Sequence, residues 1–142
     1  MHDHYLVGLD FSNTGSEPST YALEWVSQHF LAEGDRLTVA TILPNIATEE
    51  IQEAEQAVIA RAQALLEHMA TTYSKKHIEA DFKLIHSSQD TALALCEMAV
   101  DVKATNLVLG YDPYKKSHHM GNYCLDNSEV PVTVVRPVYH YK

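Results

Sequence analysis

Three short stretches hold the residues whose types could do chemistry. Leu9, Asp10 and Ser12 close an apolar run, Ile42 precedes Pro44, and a polar segment opens at Gly110 and extends to Gly121 and Asn122. An acid and a hydroxyl at the end of a strand can hold the polar part of a ligand. A glycine at such an end lets backbone N–H groups approach anionic oxygens, above all where a helix N-terminus follows. Lys115 and Lys116 could add positive charge toward a phosphate, although a solvated loop is the preferred reading of them. His118 and His119 could bind a transition metal or respond to pH. Adjacent histidines on a loop do not readily ligate one ion, and no carboxylate or thiol cluster joins them in sequence, so they are read as loop residues and no metal is expected.

Catalytic signatures are missing. The sequence has no nucleophile elbow, no HExxH helix and no Walker loop. His86, Ser87 and Ser88 are adjacent, and neighbouring strand residues point to opposite faces, so they make a poor triad. Binding is expected rather than catalysis.

The elements that must position these residues alternate. Residues 4–10 form a short buried strand, followed by a turn-rich loop over 11–18. Ser16 and Pro18 start a helix in which Leu23, Val26 and Phe30 share a face, with Gly34 as its stop. Arg36 to Leu43 is a second strand, ended by Pro44. Thr48 starts the longest helix, whose stripe is Ile51, Ala54, Val58, Ala62, Leu65 and Met69. Ile78, Ala80, Phe82 and Leu84 alternate with polar residues, which predicts a strand near a sheet edge. Ser87 and Ser88 offer caps to a helix over 90–103 with Leu93, Cys96 and Val100 inward. Leu107 to Leu109 and Val132 to Val135 are the last two strands, with a short helix between them. Strands alternating with helices imply an α/β fold, a parallel sheet with helices on both faces and right-handed crossovers. Ligands of such sheets bind beyond the carboxyl ends of the strands, where Asp10 to Ser12, Ile42 to Pro44 and Gly110 onward must lie.

Composition narrows the classes. The 142 residues are 46% apolar and suit one globular domain over 1–142. No run approaches the roughly 20 apolar residues of a membrane span, and the N-terminus lacks a signal-peptide pattern, so no membrane partner and a cytoplasmic setting are expected. With 19 acids against 10 bases the net charge is −9, which repels nucleic acid. Cys96 and Cys124 sit in helical patterns without a metal or CxxC motif and are expected to be reduced, partly buried thiols.

The ordered set VGLDFS, YALEWV, NLVLG and NYCLDNSEVPVTVVRP resembles the universal stress protein family over essentially the whole chain. The resemblance implies an adenine nucleotide alpha hydrolase-like fold with strand order 3-2-1-4-5 and a role in the stress response. It also implies a homodimer through Val132, Thr133, Val134 and Val135. Asp10 matches the family's adenine-facing acid and Ile42 its backbone contact to the base. Members that bind ATP carry a loop of Gly, two residues, Gly, nine residues, then Gly followed by Ser or Thr. Gly110 matches the first glycine, and Pro113, which has no N–H, stands at the second. The last pair is Gly121-Asn122 when matched by glycine, with seven residues intervening, or His118-His119 when matched by the downstream YCL. Under either match the motif is broken. The expectation is a stress-response binding or signalling module with weak or absent ATP binding. The alternatives are an ATP or AMP binder with an altered phosphate loop, and a dimeric scaffold that recruits a protein or metal through the histidine loop.

Overall fold

The computed structural model describes residues 2–8, 16–44, 48–72, 78–110 and 119–136. The elements run β1 (His4–Gly8), α1 (Ser16–His29), β2 (Arg36–Pro44), α2 (Glu49–Thr72), β3 (Glu79–Ser87), α3 (Thr91–Asp101), β4 (Asn106–Gly110), α4 (His119–Asn127) and β5 (Val132–Val135). All strand pairs are parallel, and the sheet order is β3-β2-β1-β4-β5.

Strand alternation builds two cores. Tyr5, Val7, Leu37, Val39, Val108 and Val135 face α1 and pack on Ala22, Leu23 and Val26. Leu6, Ala40, Leu107 and Leu109 face the other way, onto Ala92, Leu95, Met98 and Ala99 of α3 and Cys124 of α4. Each fully buried Leu or Val contributes roughly 1.5–3 kcal/mol relative to exposure. β1 is central and covered on both faces, so HYLVG reads as a continuous buried run. β3 is an edge strand, as its period of two predicts. Glu55 of α2 reaches His86 of β3 at 3.4 Å, which sets α2 on the α1 side because His86 is in register with Leu43.

The expected stops and caps are partly relocated. Thr48 caps α2, its hydroxyl accepting from the Ile51 N–H at 3.2 Å. Of the α2 stripe, Ile51 is half-buried; the side chains of Ala54, Val58, Ala62, Leu65 and Met69 lie outside those described. The N-cap of α3 is Asp90, whose carboxylate accepts from the Ala92 N–H at 2.9 Å, while Ser87 accepts from the Gln89 N–H instead. α1 ends at His29. Gly34 serves the turn into β2, where φ is +90° and a side chain would be strained.

The inner face of α3 differs from the expected Leu93, Cys96 and Val100. Ala92, Ala94, Leu95, Cys96, Met98 and Ala99 are buried, and Val100 is 44% exposed. The helix is apolar nearly all round, so its own periodicity does not choose a face. The sheet takes the alanines because they let the helix approach closely, and α4 takes Cys96.

A polar belt binds the amino ends of the strands. Buried Asp35 accepts from the N–H groups of Asp3 and Ala32, each at 2.9 Å, and Thr105 accepts from the His4 N–H at 2.9 Å. Across the sheet, His4 Nε2 lies 2.7 Å from Thr38 Oγ1, which donates to Asp81 at 2.9 Å. With the single Thr38 hydroxyl proton given to Asp81, the imidazole Nε2–H is assigned as the donor to Thr38. Among the described residues no buried side-chain N or O lacks a partner.

Candidate functional site

The crevice lies where the connections change direction. From β1 the chain steps through β2 to β3 with helices on one face, then crosses to β4 and β5 with α3 and α4 on the other. The carboxyl ends of β1 and β4 are neighbours in the sheet, and the connections leaving them diverge. Such a switch point leaves an opening above the sheet edge. A helix that follows a parallel strand starts at that same edge, so α1 and α4 present their N-termini on either side of it. The first-turn N–H groups of each have no partner within the helix and attract negative charge.

Gly8 closes β1. A Cβ there would lie 2.9 Å from Leu95 Cδ1 and 3.1 Å from Leu109 Cδ2, so the missing side chain lets α3 and β4 close beneath the opening. Ile42 lies in the carboxyl half of β2, half-buried against the α3-side core. Gly110 ends β4 opposite Val135 of β5. Gly121 and Asn122 are the third and fourth residues of α4, so their backbone lies in its first turn. Of the alternative pair, His119 is the first residue of that helix. Ile42, Gly110 and the first turn of α4 are thus described parts of one sheet edge. Leu9, Asp10 and Ser12 lie outside the described residues, as do Pro113, Lys115, Lys116 and His118. Among the described residues no three His, Cys, Asp or Glu side chains gather as a metal site, and no helix is long and apolar enough to cross a membrane.

The perturbed titrations lie away from this edge. Burial, then Arg36, lowers the pKa of His4, against smaller opposing effects from the Val102 backbone and Asp81. Burial, then Asp3 and Asp35, raises that of Tyr5. Cys124 is pushed up by burial and by its contact with Cys96. That contact was missed by the sequence reading: both thiols are buried, with sulfurs 3.3 Å apart. The residues are 28 positions apart on different helices, and no local pattern joins them.

The family model of the universal stress proteins matches residues 1–136. The chain belongs to the universal stress protein family. Solved structures agree in fold. A universal stress protein of Arabidopsis thaliana with AMP bound is 18% identical, with TM-score 0.63 over 94% of this chain and 91% of that one. A universal stress protein in complex with cAMP is 21% identical, with TM-score 0.65 over 95% and 97%. One from Archaeoglobus fulgidus is 16% identical, with TM-score 0.67 over 94% and 93%. A search of curated proteins returns no significant match. The order β3-β2-β1-β4-β5 is thus this universal stress protein's version of a shared fold, and at these identities the likeness speaks for fold alone.

Proposed function

We propose that this domain is a cytosolic stress-response binding module that holds an adenine nucleotide at the β1–β4 switch point, with AMP preferred over ATP. The observation that carries the reading is the strand order, which puts the N-termini of α1 and α4 at the carboxyl ends of β1 and β4. Support comes from two relatives of this fold, one with AMP bound and one in complex with cAMP; both ligands carry a single phosphate. Leu9 and Ile42 line the base, Asp10 and Ser12 take its polar edge or the ribose, and backbone N–H groups at Gly110, Gly121 and Asn122 meet the phosphate. Pro113 stands at the second glycine of the family's ATP-loop pattern and has no N–H to give, which weakens ATP.

The module works as a homodimer through Val132, Thr133, Val134 and Val135. β5 is an edge strand, and its first three residues are half-exposed. Such an edge invites pairing with another chain.

Thermal unfolding in the presence of AMP, and separately of ATP with Mg²⁺, tests the ligand. A ligand at 100 times its dissociation constant adds about 2.7 kcal/mol. The expected result is a rise of the midpoint with AMP, a smaller one with ATP, and loss of both in Asp10→Ala. No rise at millimolar AMP refutes the nucleotide reading. Sedimentation at micromolar concentration tests the dimer, and a single species near 15.9 kDa refutes it.

A further inference from the structure

On the outer side of the sheet from α1, helices α3 and α4 pack against each other, with an open groove of about 360 Å³ between them. Leu93, Val100 and Tyr123 give it apolar walls, and Glu97, Asp101 and Glu129 make its polar margin acidic. Cys96 is among the residues that line this groove. Directly behind it, Cys124 is fully buried. The Cys96 S–H is aimed at Cys124 Sγ at 3.3 Å, and the Cys124 S–H at the carbonyl of Ala92 at 3.7 Å.

We propose that Cys96 and Cys124 form an internal dithiol that small, uncharged peroxides convert to a disulfide through this groove, tying α3 to α4. The two sulfurs already touch, and a disulfide bond of about 2.05 Å needs them to approach by only about 1.3 Å more. Closing that distance calls for side-chain rotation and a small slide of one helix on the other. The roles of the two thiols follow from access. Cys96 lines the groove and meets the oxidant, and Cys124, shielded by it, resolves the product. Cys124 is fully buried and does not line the groove, which leaves first attack to Cys96. The three carboxylates on the margin oppose anionic oxidants and leave a neutral peroxide as the fitting class.

The chemistry balances. The Cys96 sulfur attacks one peroxide oxygen, the O–O bond breaks, and hydroxide leaves and takes up the thiol proton as water. This leaves a sulfenic acid on Cys96. The Cys124 sulfur then attacks Cys96 Sγ, the S–O bond breaks, and hydroxide departs with the Cys124 proton as a second water. Two thiols are oxidised and one peroxide is reduced. The site lies outside the nucleotide crevice, so the inference stands independently of the nucleotide reading.

The test uses the full chain, reduced and then freed of reductant. It is exposed to hydrogen peroxide, quenched and alkylated under denaturing conditions. The expected product is a monomer lacking two hydrogens and two alkyl groups, with a tryptic pair linked through Cys96 and Cys124, and dithiothreitol restores both thiols. Cys96→Ser and Cys124→Ser each remove the linkage. Should either variant fail to fold, the peptide map of the unaltered chain decides alone. The proposal is overturned if both cysteines remain fully alkylatable, if each is carried separately to a sulfinic acid, or if the only disulfides join different molecules.

Discussion

Replacing Thr38 by valine keeps the shape of the side chain and removes one oxygen from the middle of the chain that runs from His4 through Thr38 to Asp81. His4 is 7% exposed and Thr38 1%, so water does not replace the lost acceptor. The imidazole N–H is left buried and unpaired, at about 1–3 kcal/mol. Asp81 is exposed and returns to solvent at little cost. The new methyl group recovers up to about 0.8 kcal/mol of burial, for a net loss of about 1–2 kcal/mol. In a chain of this size that lowers the thermal midpoint by roughly 3–6 °C. Urea unfolding at neutral pH measures the loss directly. A double-mutant cycle with His4→Leu isolates the pair: with both partners apolar no orphaned donor remains, so the double variant should lose less than the sum of the single variants by about 0.5–3 kcal/mol. A Thr38→Val protein as stable as the parent refutes the account. So does a cycle that is additive to within about 0.5 kcal/mol.

The folded pKa of His4 lies below the ordinary histidine value of 6.5, so the native state takes up fewer protons there than the unfolded chain. Its contribution to stability is complete above pH 6.5 and is lost as pH falls through the lowered folded value; the unaltered chain should therefore lose more stability on acidification than His4→Leu, and equal losses in urea titrations would refute this. Gly8→Ala puts a Cβ against Leu95 and Leu109 at the floor of the crevice and should cost about 1–3 kcal/mol, with no change in urea midpoint as the contrary result.

Much of the molecule was legible along the chain. The apolar runs at His4–Gly8 and Asn106–Gly110, the alternation in β3 and the Thr48 cap each express a local rule, so the elements could be read one at a time. The strand order followed from likeness to a family, since periodicity assigns faces and not neighbours. At the site, Ile42, Gly110 and the start of α4 fall on one edge because parallel crossovers return every strand end to the same side. That is a property of topology which alternation alone predicts.

By itself the sequence determined the alternating α/β elements, the parallel sheet and the edge at which a ligand would bind, because backbone propensity, caps and hydrophobic period act within a few residues. Only the tertiary structure decided which face α3 turns inward, that His4, Thr38 and Asp81 meet across three strands, and that Cys96 touches Cys124. The physical reason is common to all three. Each depends on strand register or helix docking between segments distant in sequence, and α3 in particular is apolar on all sides but the Glu97–Asp101 strip, so the fit of its alanines to the sheet and of Cys96 to α4 settles its rotation.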